Sequence, residues 1–240
     1  SYDQVVKQIA LWQKQFPNAS TKVTVGHEDL HLLADSVIHL WDLGIRQVPA
    51  NVVFEDVWQD GDDLVLEDQM VKLADYVLET GKWRDYNCSL FSESLGYPYD
   101  EGDLKNNWCG AGKMLAIDSD GVLYPCIRYM DYSLTNKKGY QIGTLCSGVD
   151  KDRVRPFLAL NVPTQSDPEC LDCDVAKGCA WCQGYNYDSS SQGTSFQRSK
   201  SICAMHKARV RANSYYWGRL QSEFGITRPH TYRQKKHLYV

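Results

Sequence analysis

Eight of the nine cysteines in this 240-residue chain lie between Cys109 and Cys203, and only Cys88 stands outside that stretch. The crowding limits what the second half can become. Thiols so close in sequence end as disulfides, as ligands of a single metal ion, or as ligands of a larger inorganic cluster. The order is Cys109, eleven residues, Gly121, four residues, Cys126, a long gap, Cys170-x2-Cys173-x5-Cys179-x2-Cys182, another gap, and Cys203. An odd total and first thirty residues without a charged-then-apolar signal disfavour disulfides. Zinc accepts paired C-x-x-C ligands, but the five-residue spacer is short beside the roughly 12 to 20 residues usual between zinc-binding pairs. Iron–sulfur clusters gather thiolates from both near and distant loops, and the mixed gaps suit them.

The first half is built differently. Val5, Ile9, Trp12 and Phe16 share a helical face that stops at Pro17. Thr21 to Val25 reads as a strand, and Leu30, Leu33, Val37, Leu40 and Trp41 repeat at helical spacing up to Gly44. A buried-type run, Val48 to Phe54, follows. Then come a helix carrying Leu66, Met70, Leu73, Ala74 and Val77, and a third strand near Asn87 to Phe91. Strand and helix in alternation predict a parallel sheet, and three strands are too few to close a barrel. A partner or a missing half is implied. Ser92 to Asn107 is polar and reads as a connector. Leu115 to Pro125 alternates about Asp120-Gly121, a hairpin signal, and the chain after Cys203 reads as helical to about Phe224.

Charge is shared unevenly. Residues 55–103 hold fourteen acids against three bases, and residues 204–240 hold eight bases against Glu223. The basic end, with Tyr215, Tyr216, Trp217, Arg219, Arg233, Lys235 and Lys236, is a candidate for nucleic acid, but packing of its aromatics on its own domain with bases facing the acidic stretch is the preferred reading. No run approaches the length of a membrane span. Asp118-x-Asp120-Gly121 starts like a calcium loop and lacks the rest. His206 is expected as an exposed helical histidine, and Asn18-Ala-Ser20 matches a glycosylation acceptor only formally.

The seven-cysteine order resembles the SPASM extension, the auxiliary-cluster domain behind the barrel of many radical S-adenosylmethionine enzymes. The stretches Val48 to Trp58 and Met114 to Leu134, with Tyr124-Pro-Cys-Ile-Arg-Tyr-Met130, are similar to the peptide maturases of that group. The resemblance implies an α/β partial (β/α) radical SAM barrel followed by a small α+β cysteine-rich SPASM domain. Its boundaries are 1–92 for the barrel's C-terminal half, 93–108 for the connector, 109–203 for the auxiliary domain and 204–240 for a C-terminal helix and tail.

It further implies two auxiliary [4Fe–4S] clusters, one on Cys170, Cys173, Cys179 and Cys203, the other on Cys109, Cys126 and Cys182. Seven thiols leave one of eight ligand positions to a substrate thiol, Cys146, Cys88 or water. Leu115 occupies the place where some relatives add a cysteine. Two residues, Ala180 and Trp181, precede Cys182 where the family usually has three. No Cys-x3-Cys-x2-Cys occurs, so S-adenosylmethionine and a third cluster belong to an intact enzyme with its N-terminal barrel half, and this chain alone does not start the radical. Thr24 and Asn51, near strand ends, are weak candidates to touch S-adenosylmethionine, with satisfaction of the backbone as the plainer duty.

The implied partner is a ribosomally made, cysteine-containing precursor peptide, and the implied reaction thioether formation by a cytoplasmic, oxygen-sensitive enzyme. Ile127 stands where sulfatase-maturing relatives place a basic aspartate, which disfavours that oxidation. A zinc-stabilised peptide- or nucleic-acid-binding module is the rival outside enzymes.

Overall fold

The structure is a computed structural model that describes residues 2–229. Its described residues divide into two compact units, one built from the chain up to Leu95 together with residues 203–229, the other from residues 96–202.

In the first unit, α1 (Tyr2–Val6) and α2 (Ile9–Gln15) replace the single N-terminal helix expected from the sequence, and neither buries a residue. Their apolar stripe, with Val5 and Phe16, stays exposed. The parallel grammar follows: β1 (Val23–Val25), α3 (Leu33–Asp42), β2 (Gln47–Val48), β3 (Ala50–Val52), α4 (Asp62–Glu79) and β4 (Asn87–Cys88). β1 pairs with β3, and β2 with β4, all parallel.

The buried-type run is therefore one strand broken at Pro49, whose nitrogen has no hydrogen to donate. Its halves turn to opposite neighbours. After Cys88 the last strand peels away, and the Ser89 hydroxyl takes over the ladder, accepting from Ala50 N–H at 2.9 Å and donating to Ala50 O at 2.9 Å. The third strand is consequently shorter than Asn87 to Phe91.

Helix α4 starts with Asp62 and Asp63 at its positive end and buries Leu66, Met70, Leu73, Ala74 and Val77 at the i, i+3, i+4 spacing of one face. The last helix of the chain, Cys203–Phe224, belongs to this unit and packs against α4. Arg211 pairs with Glu67 at 2.6 Å and Asp63 at 3.3 Å, and Arg219 with Asp75 at 2.5 Å. Basic helix thus meets acidic helix. His206, expected exposed, is buried, because it lies on the packed side of this helix together with Met205. Arg233, Lys235 and Lys236 lie outside the described residues.

The second unit opens with α5 (Glu101–Leu104), set by a capping box in which Asp100 and Asp103 exchange side-chain and backbone hydrogen bonds. A four-stranded antiparallel sheet follows in the order β5 (Ala116–Ile117), β6 (Val122–Tyr124), β7 (Gly143–Thr144) and β8 (Gly148–Val149). Gly121 turns its first hairpin with φ +76°. The remainder is short helices: α6 (Lys151–Ala159), α7 (Val162–Gln165), α8 (Pro168–Leu171) and α9 (Gln183–Ser189). The core here is small and aromatic, with Tyr124, Tyr129 and Phe157 in one cluster and Tyr99 and Trp181 in another. Among the described residues no helix is long and apolar enough to cross a membrane.

Candidate metal centres

Three loops of the second unit are tied to one another, and each carries a cysteine. Gly112 N–H donates to Pro125 O at 3.1 Å, fastening the turn after Cys109 to the residue before Cys126. Asn107 Oδ1 accepts from Cys109 N–H and from Gln183 Nε2, each at 3.1 Å, fastening Cys109 to the residue after Cys182. The third side is steric. A Cβ on Gly184 would lie 2.6 Å from Arg128 Cβ and 3.0 Å from Arg128 O, so only glycine lets the first turn of α9 approach the segment after Cys126 this closely.

The three thiols feel one another. Burial pushes Cys109 up from its usual range and the neighbouring Cys182 and Cys126 add to this, against N–H bonds from Ala111 and Gln183 to its sulfur. Cys126 is also pushed up by burial first and by Cys182, while Arg128 N–H donates to its sulfur at 3.4 Å and opposes the rise. Tyr129, fully buried, shares a 2.8 Å hydrogen bond with Ser195 Oγ. Burial, then the charges of Cys109, Cys182 and Cys126, raise its phenol far above the ordinary range.

A second group forms around Arg198. Cys170 sits in α8, and backbone turns carry the chain from Cys173 through Ala176 to Cys179, with N–H···O bonds of 3.2 and 3.0 Å. Arg198 is 6% exposed, too little for solvent to carry its charge. It hydrogen-bonds Tyr99 Oη at 3.1 Å and the Cys170 thiol, and lies 5.0 Å above the Trp181 ring. Burial works against its charge, but Tyr99, Cys170 and Cys179 hold its pKa above the ordinary arginine range.

The groups share a buried polar chain. Gln183 Nε2 and Trp181 Nε1 donate to Gln165 Oε1 at 3.1 and 3.3 Å, and Arg198 N–H donates to Gln165 O at 2.9 Å. Both glutamines are fully buried.

The sequence-nominated thiols therefore lie as Cys109, Cys126 and Cys182 in one place, and Cys170 and Cys179 beside Arg198 with Cys173 in the same loop. Cys203 is the first residue of the terminal helix and belongs to the first unit. Cys146 is exposed in the turn between β7 and β8, and Cys88 is buried in β4. Leu115 and Ile127 are both exposed. Among the described residues no three His, Cys, Asp or Glu side chains are grouped to hold a single metal ion. The donors are thiols in both groups: N–H groups are directed at the sulfurs of Cys109 and Cys126, and Arg198 accompanies Cys170 and Cys179.

In the first unit the register sets Thr24 beside Asn51. Thr24 is exposed, and Asn51 Nδ2 donates to Val52 O at 3.2 Å. Beyond these strand ends lies a cavity of about 520 Å³ lined by His27, Glu28, Asp29 and Glu55. Asp62 holds His27 Nδ1 at 2.9 Å. His27, Asp62, Tyr129 and Arg198 were not singled out in the sequence. A lone arginine in a polar loop carries no spacing signal, and Asp62 reads only as a helix start. No protein-family model, no curated protein and no solved structure matches the chain.

Proposed function

We propose that this chain is the auxiliary-cluster part of a radical S-adenosylmethionine enzyme that modifies a cysteine-containing, ribosomally made peptide by thioether formation. The observation that carries the reading is the convergence of Cys109, Cys126 and Cys182, distant in sequence, around buried Tyr129. The motif order supports Cys170, Cys173 and Cys179 as ligands of a second centre. Bound clusters would supply one-electron redox capacity and, at a vacant iron position, a site for a thiolate.

The chain's own residues do the rest. Backbone N–H groups of Ala111, Gln183 and Arg128 direct hydrogen bonds to the sulfurs and favour their anionic form. With three ligands at the first centre, a fourth position is open to a peptide thiol. The register pairs Thr24 with Asn51 in the middle of the parallel β1–β3 ladder, and α/β folds bind their ligands beyond the carboxyl ends of such strands. S-adenosylmethionine is the proposed ligand there in a longer, cytoplasmic enzyme.

Oxygen-free reconstitution with iron and sulfide tests this. The expected result is iron and sulfide in equal amounts, broad visible absorption from sulfur-to-iron charge transfer, and loss of one cluster's share of iron when Cys109, Cys126 and Cys182 become serine. Colourless protein carrying stoichiometric zinc, or no metal, refutes the reading in favour of a zinc module. Oxidation of a serine in the peptide, in place of blocked thiols, refutes the thioether assignment.

A further inference from the structure

Beside β4 the first unit holds a cavity of about 530 Å³, a size common among small-molecule sites. Its walls are mostly rings: Trp41, Trp83, Tyr86, Phe91, Tyr216 and Trp217. They brace one another, with Phe91 stacked on Tyr216 at 4.4 Å, Trp217 edge-on to Tyr216 at 5.6 Å and Trp41 edge-on to Tyr86 at 6.0 Å. Rings alone would accept many guests, so the polar atoms decide which one fits.

A buried indole N–H ordinarily finds an acceptor. Those of Trp41, which is 1% exposed, Trp83 and Trp217 are shut from water and have no acceptor among the described residues. The backbone oxygens of the same wall are already engaged: Cys88 O accepts from Phe91 N–H, Ser89 O from Arg209, Ser92 O from Asn213 and Glu93 O from Arg228. Donors are therefore in surplus. Charge excludes two further classes of guest. Among the described residues lining the cavity there is no lysine, arginine or histidine, and Glu93 carries a carboxylate, so an anion meets repulsion and no counter-charge. A cation is no better placed, because Lys82 Nζ already lies 5.3 Å from the centre of the Tyr86 ring and the Arg84 guanidinium 4.4 Å from that of Trp83.

We infer that this cavity binds a small, uncharged, planar heteroaromatic molecule, which seats among the rings and offers carbonyl or ring-nitrogen acceptors to the indole N–H groups. A slight turn of the rings as the guest enters brings donor and acceptor together. Each bond so formed displaces no bond to water on the protein's side, since these donors are dry in the free chain. The site uses none of the cysteines of the second unit, and it stands whether or not they hold metal.

Caffeine is the probe, being flat and uncharged with hydrogen-bonding atoms that are all acceptors; benzyltrimethylammonium, an aromatic cation, is the rival. The full chain is isotopically labelled at the indole nitrogens of its seven tryptophans and titrated with each compound by nuclear magnetic resonance. Trp83→Phe and Trp217→Phe assign two of the signals, and each keeps a ring while removing a donor. The expected result is a saturable downfield movement of the Trp83 and Trp217 N–H signals with caffeine, and caffeine binding about threefold to tenfold weaker in each variant whose circular dichroism matches the native chain. Neither signal moving at the solubility limit of caffeine overturns the inference, and this native titration decides even where a variant does not fold. Native affinity in the folded variants removes the role given to the indole donors and overturns it too. Tighter binding of benzyltrimethylammonium than of caffeine makes the cavity a cation site and overturns the assigned chemistry.

Discussion

At Gly184 in the second unit, Arg128 leaves no room for a β-carbon. The obstructing atoms include a backbone carbonyl, which cannot swing aside as a lysine tip would. Gly184→Ala therefore forces α9 away from the loop after Cys126. Overpacking of this kind costs about 1–3 kcal/mol, expected as a lower denaturation midpoint together with weaker iron uptake at Cys109, Cys126 and Cys182. Wild-type stability and loading in Gly184→Ala would show that the loops are not held by this approach. Gln165 makes the complementary case through hydrogen bonding. Its side-chain oxygen serves both Gln183 and Trp181, so Gln165→Leu strands the buried Trp181 N–H, at about 1–3 kcal/mol, and leaves Gln183 Nε2 with Asn107 alone. Guanidinium denaturation of the two variants measures both effects.

At the scale of elements, the β5–β6 hairpin depends on one carboxylate. Asp118 Oδ1 accepts from Val122 N–H at 2.9 Å and Asp120 N–H at 3.0 Å, and Oδ2 accepts from Tyr124 Oη at 3.0 Å. The Val122 bond first, opposed next by burial and then aided by the Tyr124, Asp120 and Gly121 bonds, holds its carboxyl below the usual aspartate value. A folded-state pKa below the unfolded one contributes stability that is present above the unfolded value and lost as pH falls through the folded one. Amide exchange at Val122 is expected to quicken as pH falls below about 3.9, after correction for the intrinsic rate, and Asp118→Asn to remove that dependence. A native-like pH dependence in the asparagine variant would contradict the role given to the carboxylate.

The same hairpin shows what can be read from sequence. Asp120-Gly121 between alternating residues announces its turn because only a residue tolerant of positive φ fits there. The parallel alternation in the first unit was legible for the same reason, since period 2 and period 3.6 separate cleanly over α4. Pro49 was equally visible, but its effect depends on which neighbour each half-strand finds. Where a side chain replaces a ladder bond, as Ser89 does, local patterns are silent. The thiol groups were legible as an order of cysteines, whereas Tyr129, Arg198 and Gln165 act through tertiary burial, which leaves no periodic trace.

For the whole molecule, the chain order matters more than any one contact: the first unit is left at Leu95 and rejoined only at Cys203. Its terminal helix supplies Met205, Ala208, Ala212, Tyr216 and Leu220 to the core, with Tyr216 stacked on Phe91 at 4.4 Å. Burial of each large apolar side chain is worth about 1.5–3 kcal/mol, so the helix accounts for a large part of the roughly 5–15 kcal/mol that holds a domain together. The ion pairs of Arg211 and Arg219 with α4 are partly exposed and contribute about 0–1 kcal/mol each; they orient the helix more than they secure it. A chain ended at Ile202 is thus expected to lose protection against hydrogen exchange throughout α4 and α3, while the β5–β8 sheet, whose hydrogen bonds all lie within residues 96–202, keeps its own. Mass-resolved exchange on the shortened chain decides the matter: α4 amides as slow as in the intact protein would show that the first unit does not depend on its last helix, and a sheet that opens together with α4 would show that the two units do not unfold separately.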